Sequence, residues 1–297
     1  MTRKTREMVQ GWGFLLPSVV VSGIFLGIAT VFVIYLSFHN VNLITGNNVF
    51  IGLGNWERAL ADPMLHTAIR NTLTFSAVVV PAQTLLSLIV AAVLNSKINF
   101  KKTFRTVVFL PTLTSSSALT MIFMFLFNIR GPVNAVLLGA GVLEPGGNIN
   151  FLQSTAWMLP LIMIMNIWST FPMYMTFYLA SLQELPKSLY EAAEIDGAGE
   201  VRKFLSITVP YLKPITTYVL LTGVIGTLQM FDQAFILTGG DGGPANAGLT
   251  ITLLIYRMAF GPVNAMGYAA MIAIALMVFI LTLSFIINRL NKEERLY

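Results

Sequence analysis

Polar and aromatic side chains inside two long apolar stretches are the residues of this sequence best suited to recognising a solute. They are Asn166, Trp168, Ser169, Thr170 and Met173 in one stretch, and Gln229, Phe231 and Asp232 in another. In a helix, all of the first group except Trp168 share one face. Amide donors and acceptors beside an aromatic face suit a solute with many hydroxyl groups and apolar C–H faces. The alternative to solute binding is that each polar residue forms a structural hydrogen bond to a neighbouring helix. For Asp232, another alternative is contact with water at the membrane interface.

The sequence lacks the residues that thiol, metal-binding or nucleotide-binding chemistry would need. It contains no cysteine, and its two histidines, His39 and His66, stand outside the apolar stretches and form no metal-binding cluster. The phosphate-binding pattern G-x-x-x-x-G-K-[ST] does not occur, and the glycine-rich TGGDGGPAN has no lysine. We therefore expect this chain to hold no catalytic residue, no metal and no cofactor of its own.

The composition predicts a membrane protein. Hydrophobic residues make up 56% of the 297 residues and charged residues only 10%, whereas about a quarter of an ordinary soluble domain is charged. A helix that crosses about 30 Å of hydrocarbon takes about 20 residues. Six apolar stretches are long enough, at approximately residues 12–38, 73–94, 107–127, 156–180, 215–237 and 265–288. We therefore predict an all-α polytopic membrane protein with six transmembrane helices.

Lysine and arginine are distributed unequally between the two sides of these six spans. One side would carry fourteen of them: Arg3, Lys4, Arg6, Lys97, Lys101, Lys102, Arg105, Lys187, Arg202, Lys203, Lys213, Arg289, Lys292 and Arg295. The other would carry four: Arg58, Arg70, Arg130 and Arg257. Because positive charge accumulates in cytoplasmic loops, both termini are predicted to be cytoplasmic. The basic residues flank apolar segments and form no single patch, so they indicate topology and not nucleic-acid binding.

The first apolar stretch follows three basic residues, as the core of a cleaved signal sequence also does. It is well over 20 residues long, and it lacks the small-residue pattern of a cleavage site. We interpret it as a retained span.

Residues 182–214, a predicted cytoplasmic loop, concentrate charge in a chain that has little of it. Ser188 and Glu191, three residues apart, predict a capping box, and Gly197 is placed to end that helix in a left-handed conformation. Apolar residues then recur at helical spacing until Pro210, where we expect the second helix to stop. The alternative is a solvated connecting loop whose charges only keep it in water.

The order Glu191-Ala192-Ala193, then Gly197, then Ile207 and Pro210 resembles the EAA loop of binding-protein-dependent ABC importer permeases. Other stretches resemble the carbohydrate branch of that family, the maltose (MalF-like) and glycerol-phosphate permeases: FIGLGNWERAL, FRTVVFLPTL, NIWSTFPMYM, LQMFDQAFILTGGDGGPAN and YAAMIAIAL. The resemblance extends along nearly the whole chain. Two departures are the long glycine run in an outer loop and the absence of a large inserted periplasmic domain.

The resemblance implies a type I permease fold in which residues 1–297 form a single transmembrane domain of a bacterial or archaeal cell membrane. It also implies a coupling helix that docks on a cytoplasmic ATPase and includes Glu191, Ala192, Ala193, Asp196 and Gly197. The implied partners are a second homologous permease, two ATPase subunits that bind ATP and magnesium, an extracytoplasmic solute-binding protein and a sugar. Relatives use the segment around Asn166 for sugar contacts, which favours ligand binding by the polar residues described above.

Two other classes of transport protein are alternatives. An ion-coupled secondary transporter of a small polar solute would need inverted repeats and intramembrane ionisable residues, yet only Asp232 lies well inside a predicted span. A channel would need rings of charge or a filter of backbone carbonyls. Neither class accounts for the charged loop at residues 182–214. Uptake that requires ATP but survives collapse of the proton gradient would separate an ABC importer from a secondary transporter.

Overall fold

The computed structural model describes residues 3–96 and 99–292, so Lys97 and Arg295 of the charge count lie outside the described residues. Most of the described backbone is helical. The helices are α1 (Arg3–Ser22), α2 (Ala29–Ser37), α3 (Gly54–Ala61), α4 (Pro63–Asn95), α5 (Lys101–Phe109), α6 (Ser116–Leu126), α7 (Pro132–Gly139), α8 (Met158–Glu184), α9 (Lys187–Ile195), α10 (Glu200–Lys203), α11 (Val209–Tyr211), α12 (Lys213–Leu228), α13 (Asp232–Thr238), α14 (Ile251–Phe260) and α15 (Met266–Lys292). Strands β1 (His39–Asn42) and β2 (Asn47–Phe50) pair as an antiparallel hairpin.

Long apolar helices dominate the described residues, as the composition predicts. Five are long and apolar enough to cross a membrane: Gln10–Ser37, Pro63–Asn95, Met158–Glu184, Lys213–Thr238 and Met266–Leu290. A bent pair of helices, Lys101–Leu113 and Ser116–Leu126, would make a sixth if it is one span. The all-α membrane fold is therefore confirmed.

The third predicted span, residues 107–127, is not one straight helix. Its two halves meet at an angle of 100°. Pro111 lies in a 3₁₀ turn, Leu110–Leu113, after which Thr114 and Ser115 are extended. The Ser115 hydroxyl then accepts the Ala118 N–H at 3.3 Å and so caps the new helix. Proline and this serine cap explain a break that apolar composition does not reveal.

The chain divides into two compact units. One contains the residues up to Asp62 together with Ile255–Val278. Within it, the Tyr268 hydroxyl donates to Asp62 Oδ2 at 2.7 Å, and the Arg58 guanidinium lies 4.2 Å from the centre of the Tyr268 ring. These contacts join the short helix α3 to α15.

The other unit contains Pro63–Leu254 and the residues from Phe279 on. Its centre is formed by α4, α8 and α12, whose apolar side chains share one buried cluster: Ala91, Leu94, Met175, Tyr178, Leu179, Leu182, Leu212 and Val219. Hydroxyl groups of α4 add hydrogen bonds between helices, because Ser87 donates to the Phe171 carbonyl at 2.8 Å and Ser76 lies 2.8 Å from Thr227 Oγ1. That the whole chain acts as a single permease domain stays a prediction.

Candidate functional site

The predicted span at residues 215–237 is present, but it is interrupted near one end. Helix α12 ends at Leu228 and α13 begins at Asp232. Phe231, between them, has φ −127° and ψ −59°, outside the helical region. The Met230 carbonyl accepts hydrogen bonds from the hydroxyls of Thr250, at 3.1 Å, and Thr252. Irregular backbone at membrane depth is tolerated where protein satisfies it or where it lines a cavity, and here both conditions are met.

A pocket of about 240 Å³ opens at this break. It is lined by Ser116, Asn166, Gly226, Gln229, Met230, Phe231, Asp232 and Gln233. Gln229 and Asp232 are exposed, Phe231 is half-buried, and Asn166 is buried. The lining therefore combines three amide side chains, a carboxylate, a hydroxyl and an aromatic ring around one small space.

A chain of hydrogen bonds supports the polar wall of this pocket. Asn166 Nδ2 donates to Gln233 Oε1 at 2.9 Å, and Gln233 Nε2 lies 3.4 Å from Ser169 Oγ. The Thr170 hydroxyl is placed to donate either to Gln83 Oε1, at 2.7 Å, or to the Asn166 carbonyl, at 2.8 Å. These bonds tie α8 to α13 on one side and to α4 on the other.

Two buried polar atoms of this network have no hydrogen-bond partner among the described residues. They are Asn166 Oδ1 and Gln83 Nε2. An unmade hydrogen bond in a buried site costs about 1 to 3 kcal/mol, so such atoms are suited to meeting a solute or a water molecule. Asn166 thus bonds a neighbouring helix through its nitrogen and keeps an unpaired oxygen, so the two interpretations of this residue are compatible.

The sequence-predicted binding residues fall into three groups. Asn166, Gln229, Phe231 and Asp232 line the pocket. Ser169 and Thr170 do not line it but belong to its hydrogen-bond network. Trp168 and Met173 are 49% and 53% exposed and belong to neither, and the Trp168 ring instead lies 6.0 Å from that of Phe171.

Sequence reasoning passed over Gln83, which joins this network through its hydrogen bond with Thr170. Gln83 is a polar residue in the middle of the second apolar stretch, directly after Pro81-Ala82. That signal, a lone amide within a span, is the same one that selects Asn166. A list of polar side chains from every span would have included it.

The loop at residues 182–214 is a compact helical hairpin. Helix α9 ends in a Schellman motif, in which the Ala198 N–H donates to the Ala193 carbonyl at 2.9 Å and the Gly197 N–H to that of Glu194 at 3.0 Å. Gly197 has φ +75°, so its predicted left-handed conformation is confirmed. The hydroxyls of Tyr190 and Thr208 hydrogen-bond and connect the two arms of the hairpin.

Lys203 lies at the centre of this hairpin. Its side chain is nearly buried, and Nζ lies 2.7 Å from Glu194 Oε1 and 2.6 Å from Glu200 Oε1. Hydrogen bonds to Glu194, then to Glu200, raise the pKa of the Lys203 ammonium group above its ordinary value. The lysine is therefore a charged link between the end of α9 and the start of α10.

The outer surface of the hairpin carries both charge and hydrocarbon. Glu191, Ala192, Asp196 and Gly197 are exposed, and Ala193 is half-buried. Beside them, two large apolar side chains have almost no cover within the chain: Ile195 is 88% and Val201 74% exposed. Exposed apolar groups ringed by charge are typical of a protein–protein contact.

Two predictions about this loop are wrong. Ser188 and Glu191 form no capping box, because α9 begins at Lys187, directly after Pro186, and Ser188 is already inside the helix. Pro210 does not stop the chain either. A π-helix, Phe204–Thr208, runs into α11 without a gap, and the helix ends one residue after Pro210, at Tyr211.

The family of the chain follows from a match to a protein-family model. Residues 83–295 match the model described as "Binding-protein-dependent transport system inner membrane component". The chain belongs to this family. The match includes the pocket residues, the whole loop at 182–214, hereafter the EAA loop, and every long helix from α8 on, so the resemblance found in the motifs is confirmed.

Individual members of the family match along almost their whole length. The chain is 37% identical over 291 residues to the lactose transport system permease protein LacF of Rhizobium radiobacter, covering 97% of this chain and 95% of that protein. It is 34% identical over 281 residues to the arabinooligosaccharides transport system permease protein AraP of Bacillus subtilis, covering 94% and 87%. Both are named as permease proteins of transport systems, and the family is that of an inner membrane component, so this chain is a membrane permease.

A solved structure matches the fold. It is a bacterial ABC transporter involved in the import of the acidic polysaccharide alginate, with a TM-score of 0.84 and 22% identity over 99% of this chain and 100% of that one. The type I permease fold predicted for the chain is therefore confirmed.

The described part of this permease contains no cluster of metal ligands. Within residues 3–96 and 99–292, no three histidine, cysteine, aspartate or glutamate side chains come together closely enough to hold a metal ion.

Proposed function

We propose that this permease carries a sugar or oligosaccharide across a bacterial or archaeal cell membrane as part of an ATP-driven importer. The observation that carries the proposal is the pocket at the α12–α13 break, where Asn166, Gln229 and Gln233 offer amide groups beside the Phe231 ring. Amides bond the hydroxyl groups of a sugar, and an aromatic face covers its C–H groups. The two relatives named for lactose and arabinooligosaccharides support this class of solute.

The pocket of this chain is small for a complete binding site. Its volume is about 240 Å³, whereas ligand sites are typically about 300 to 1,000 Å³. We therefore propose that a second, homologous permease supplies the opposite wall. Asn166, Gln229, Phe231 and Asp232 would contact the sugar directly, and Ser169 and Thr170 would orient Asn166.

The EAA loop is proposed as the docking surface for a cytoplasmic ATPase, with both termini of the chain on the same side of the membrane. Ile195 and Val201 would enter a cleft of the ATPase, and the charged residues Glu191 and Asp196 would border that contact. A desolvated apolar centre with a polar rim is the usual anatomy of a specific interface. Ala192, Ala193 and Gly197 would allow close approach of the partner.

The remaining parts of the importer are assigned to other chains. Two ATPase subunits would bind ATP and magnesium, because this sequence has no phosphate-binding loop of the G-x-x-x-x-G-K-[ST] type. An extracytoplasmic solute-binding protein would deliver the sugar, in agreement with the description of the family. This chain would catalyse no change of covalent bonds.

The test is purification of the complex through an affinity tag on this chain, followed by assay in proteoliposomes with its binding protein. Sugars from monosaccharides to oligosaccharides would be screened for stimulation of ATP hydrolysis and for ATP-dependent uptake. We expect at least one sugar to stimulate both. Stimulation by amino acids or peptides alone would contradict the carbohydrate assignment. Uptake driven by a proton gradient without ATP would support the secondary transporter instead.

A further inference from the structure

A second cavity of the molecule lies away from the solute pocket and differs from it in chemistry. This groove, of about 260 Å³, is lined by Arg105, Thr106, Phe109, Leu110, Leu113 and Thr176. Three apolar side chains make up half of the lining, and Leu113 and Leu110 are among the exposed hydrophobic residues of the chain. A sugar would not suit such a surface, because the hydroxyl groups of a sugar would lose their hydrogen bonds to water.

One end of the groove is positively charged. Arg105 belongs to α5, and Lys101 and Lys102 precede it by four and three residues, so the three cations lie on one side of the helix. None of them has a carboxylate partner in the described part of the chain, and α5 itself contains no acidic residue. Three uncompensated positive charges therefore stand next to an apolar groove.

The position of the groove identifies the kind of molecule that can reach it. Its walls are α5, the 3₁₀ turn Leu110–Leu113 and α8, which belong to membrane-spanning candidates. From Arg105 to Leu113 the chain advances about 12 Å, which is close to the thickness of one leaflet, about half of a 30 Å hydrocarbon core. In a bilayer that this segment enters, acyl chains would surround the apolar end of the groove and lipid phosphates would lie near its charged end.

We infer that this groove binds an anionic phospholipid. The headgroup phosphate lies against Arg105, with Lys101 and Lys102 nearby, and one acyl chain lies along Phe109, Leu110 and Leu113. Basic pockets between membrane helices on the cytoplasmic side favour anionic headgroups, and α8 leads directly into the EAA loop, which we propose to be cytoplasmic. This lipid assignment does not depend on which solute the permease carries.

The experiment is native mass spectrometry of the delipidated complex in mild detergent, titrated with phosphatidylglycerol or with phosphatidylcholine of the same acyl chains. We expect the complex to bind phosphatidylglycerol more tightly. Arg105→Gln should weaken phosphatidylglycerol binding about fivefold and leave phosphatidylcholine binding unchanged, since one basic residue near an anionic surface contributes about that factor. Arg130→Gln, which removes an exposed arginine outside the groove, is the matched control and should change neither lipid.

A second pair of variants keeps the test valid if Arg105→Gln assembles poorly. Leu110→Trp fills the groove without touching its charge and should weaken both lipids, whereas Lys101→Gln with Lys102→Gln should weaken phosphatidylglycerol only. Equal binding of the two lipids by the wild-type complex would overturn the inference, as would unchanged binding in both Arg105→Gln and Leu110→Trp. Binding of phosphatidylglycerol only after the second permease is removed would show that the partner covers the groove, and would overturn it as well.

Discussion

Lys203 and Glu194 form an ion pair across the glycine turn of the EAA loop, with Nζ 2.7 Å from Oε1. Lys203 is nearly buried while Glu194 is largely exposed, so the lysine reaches outward from the interior of the hairpin to hold the end of α9. Glu200, at the start of α10, bonds the same ammonium group. Lys203 therefore helps to fix the angle between the two short helices, together with the Schellman turn at Gly197 and the Tyr190–Thr208 hydrogen bond.

We predict that Lys203→Met reduces ATP-dependent uptake while the amount of complex in the membrane stays the same. Without the ammonium group, Glu194 and Glu200 repel each other, and α9 is no longer fixed against α10. Lys203→Arg should restore most of the uptake. Lys187→Met, which removes an exposed lysine at the start of the same loop, serves as the control. Wild-type uptake in Lys203→Met would mean that the ion pair does not position the loop.

The same pair predicts no pH dependence near neutrality. Because the pKa of Lys203 is raised, the contribution of its ammonium group is fully present near neutrality, below the ordinary lysine value of about 10.4, and is lost as the pH rises through the folded-state pKa. The ratio of uptake in Lys203→Met to uptake in the wild type should therefore be equal at about pH 6 and about pH 8, both far below that value. A ratio that changes between these two conditions would implicate another titrating group.

Gly197→Ala is predicted to impair coupling through backbone strain. Gly197 has φ +75°, a conformation that costs a residue with a Cβ about 1 to 2 kcal/mol. Gly199→Ala is the matched control, because Gly199 has φ −68° and open space around its Cα. Uptake and sugar-stimulated ATP hydrolysis should fall in the first variant only, with membrane abundance equal in both. Equal uptake in the two variants would show that the loop is ordinary connecting structure.

Gly223→Ala is predicted to destabilise the permease next to the solute pocket. A Cβ at Gly223 would lie 2.6 Å from Gln83 Nε2, and the other end of that amide is held by Thr170 at 2.7 Å. Overpacking of this kind costs about 1 to 3 kcal/mol, and the melting temperature of the complex should fall. Gly226→Ala, in the same helix with open space, should not lower it. Combining Gly223→Ala with Gln83→Ala should recover part of the lost melting temperature. If the melting temperature does not recover, the clash with Gln83 is not the cause of the loss.

Hydrophobic length was sufficient to predict the membrane fold but not the interruptions of its helices. Residues 215–237 are apolar enough to predict one continuous span despite Gln229, Asp232 and Gln233, yet the helix breaks at residues 229–231. The Met230 carbonyl at this break accepts a hydrogen bond from the Thr250 hydroxyl, twenty residues later in the chain. A local pattern carries no information about such a distant partner, so only the structure reveals the pocket that forms at the break.

Helical periodicity placed some candidate binding residues on the correct face of α8. It could not show how far along that face the pocket extends. Met173 is seven residues after Asn166 and so lies on nearly the same side of α8, but about 10 Å farther along the axis. Trp168 is about 200° around the helix from Asn166. Neither lines the pocket, whereas Gln233, from another helix, does. Which helices are neighbours decides the site, and the sequence alone does not give that.

The last prediction concerns Asn166, whose amide nitrogen bonds Gln233 at 2.9 Å and whose buried oxygen has no partner among the described residues. If the oxygen serves the sugar, Asn166→Leu should abolish or strongly weaken uptake, while the yield of the complex and its basal ATP hydrolysis largely persist. Leaving Gln233 Oε1 unpaired costs about 1 to 3 kcal/mol, which predicts a modest fall in melting temperature alongside the loss of uptake. If Asn166 only joins α8 to α13, its loss should instead reduce yield, melting temperature, uptake and hydrolysis together. Gln153→Ala, which removes an exposed side chain in the turn that precedes α8, is the control for purification and assay and should behave as the wild type. Measuring all four quantities on Asn166→Leu separates the two roles, and unchanged uptake would exclude both.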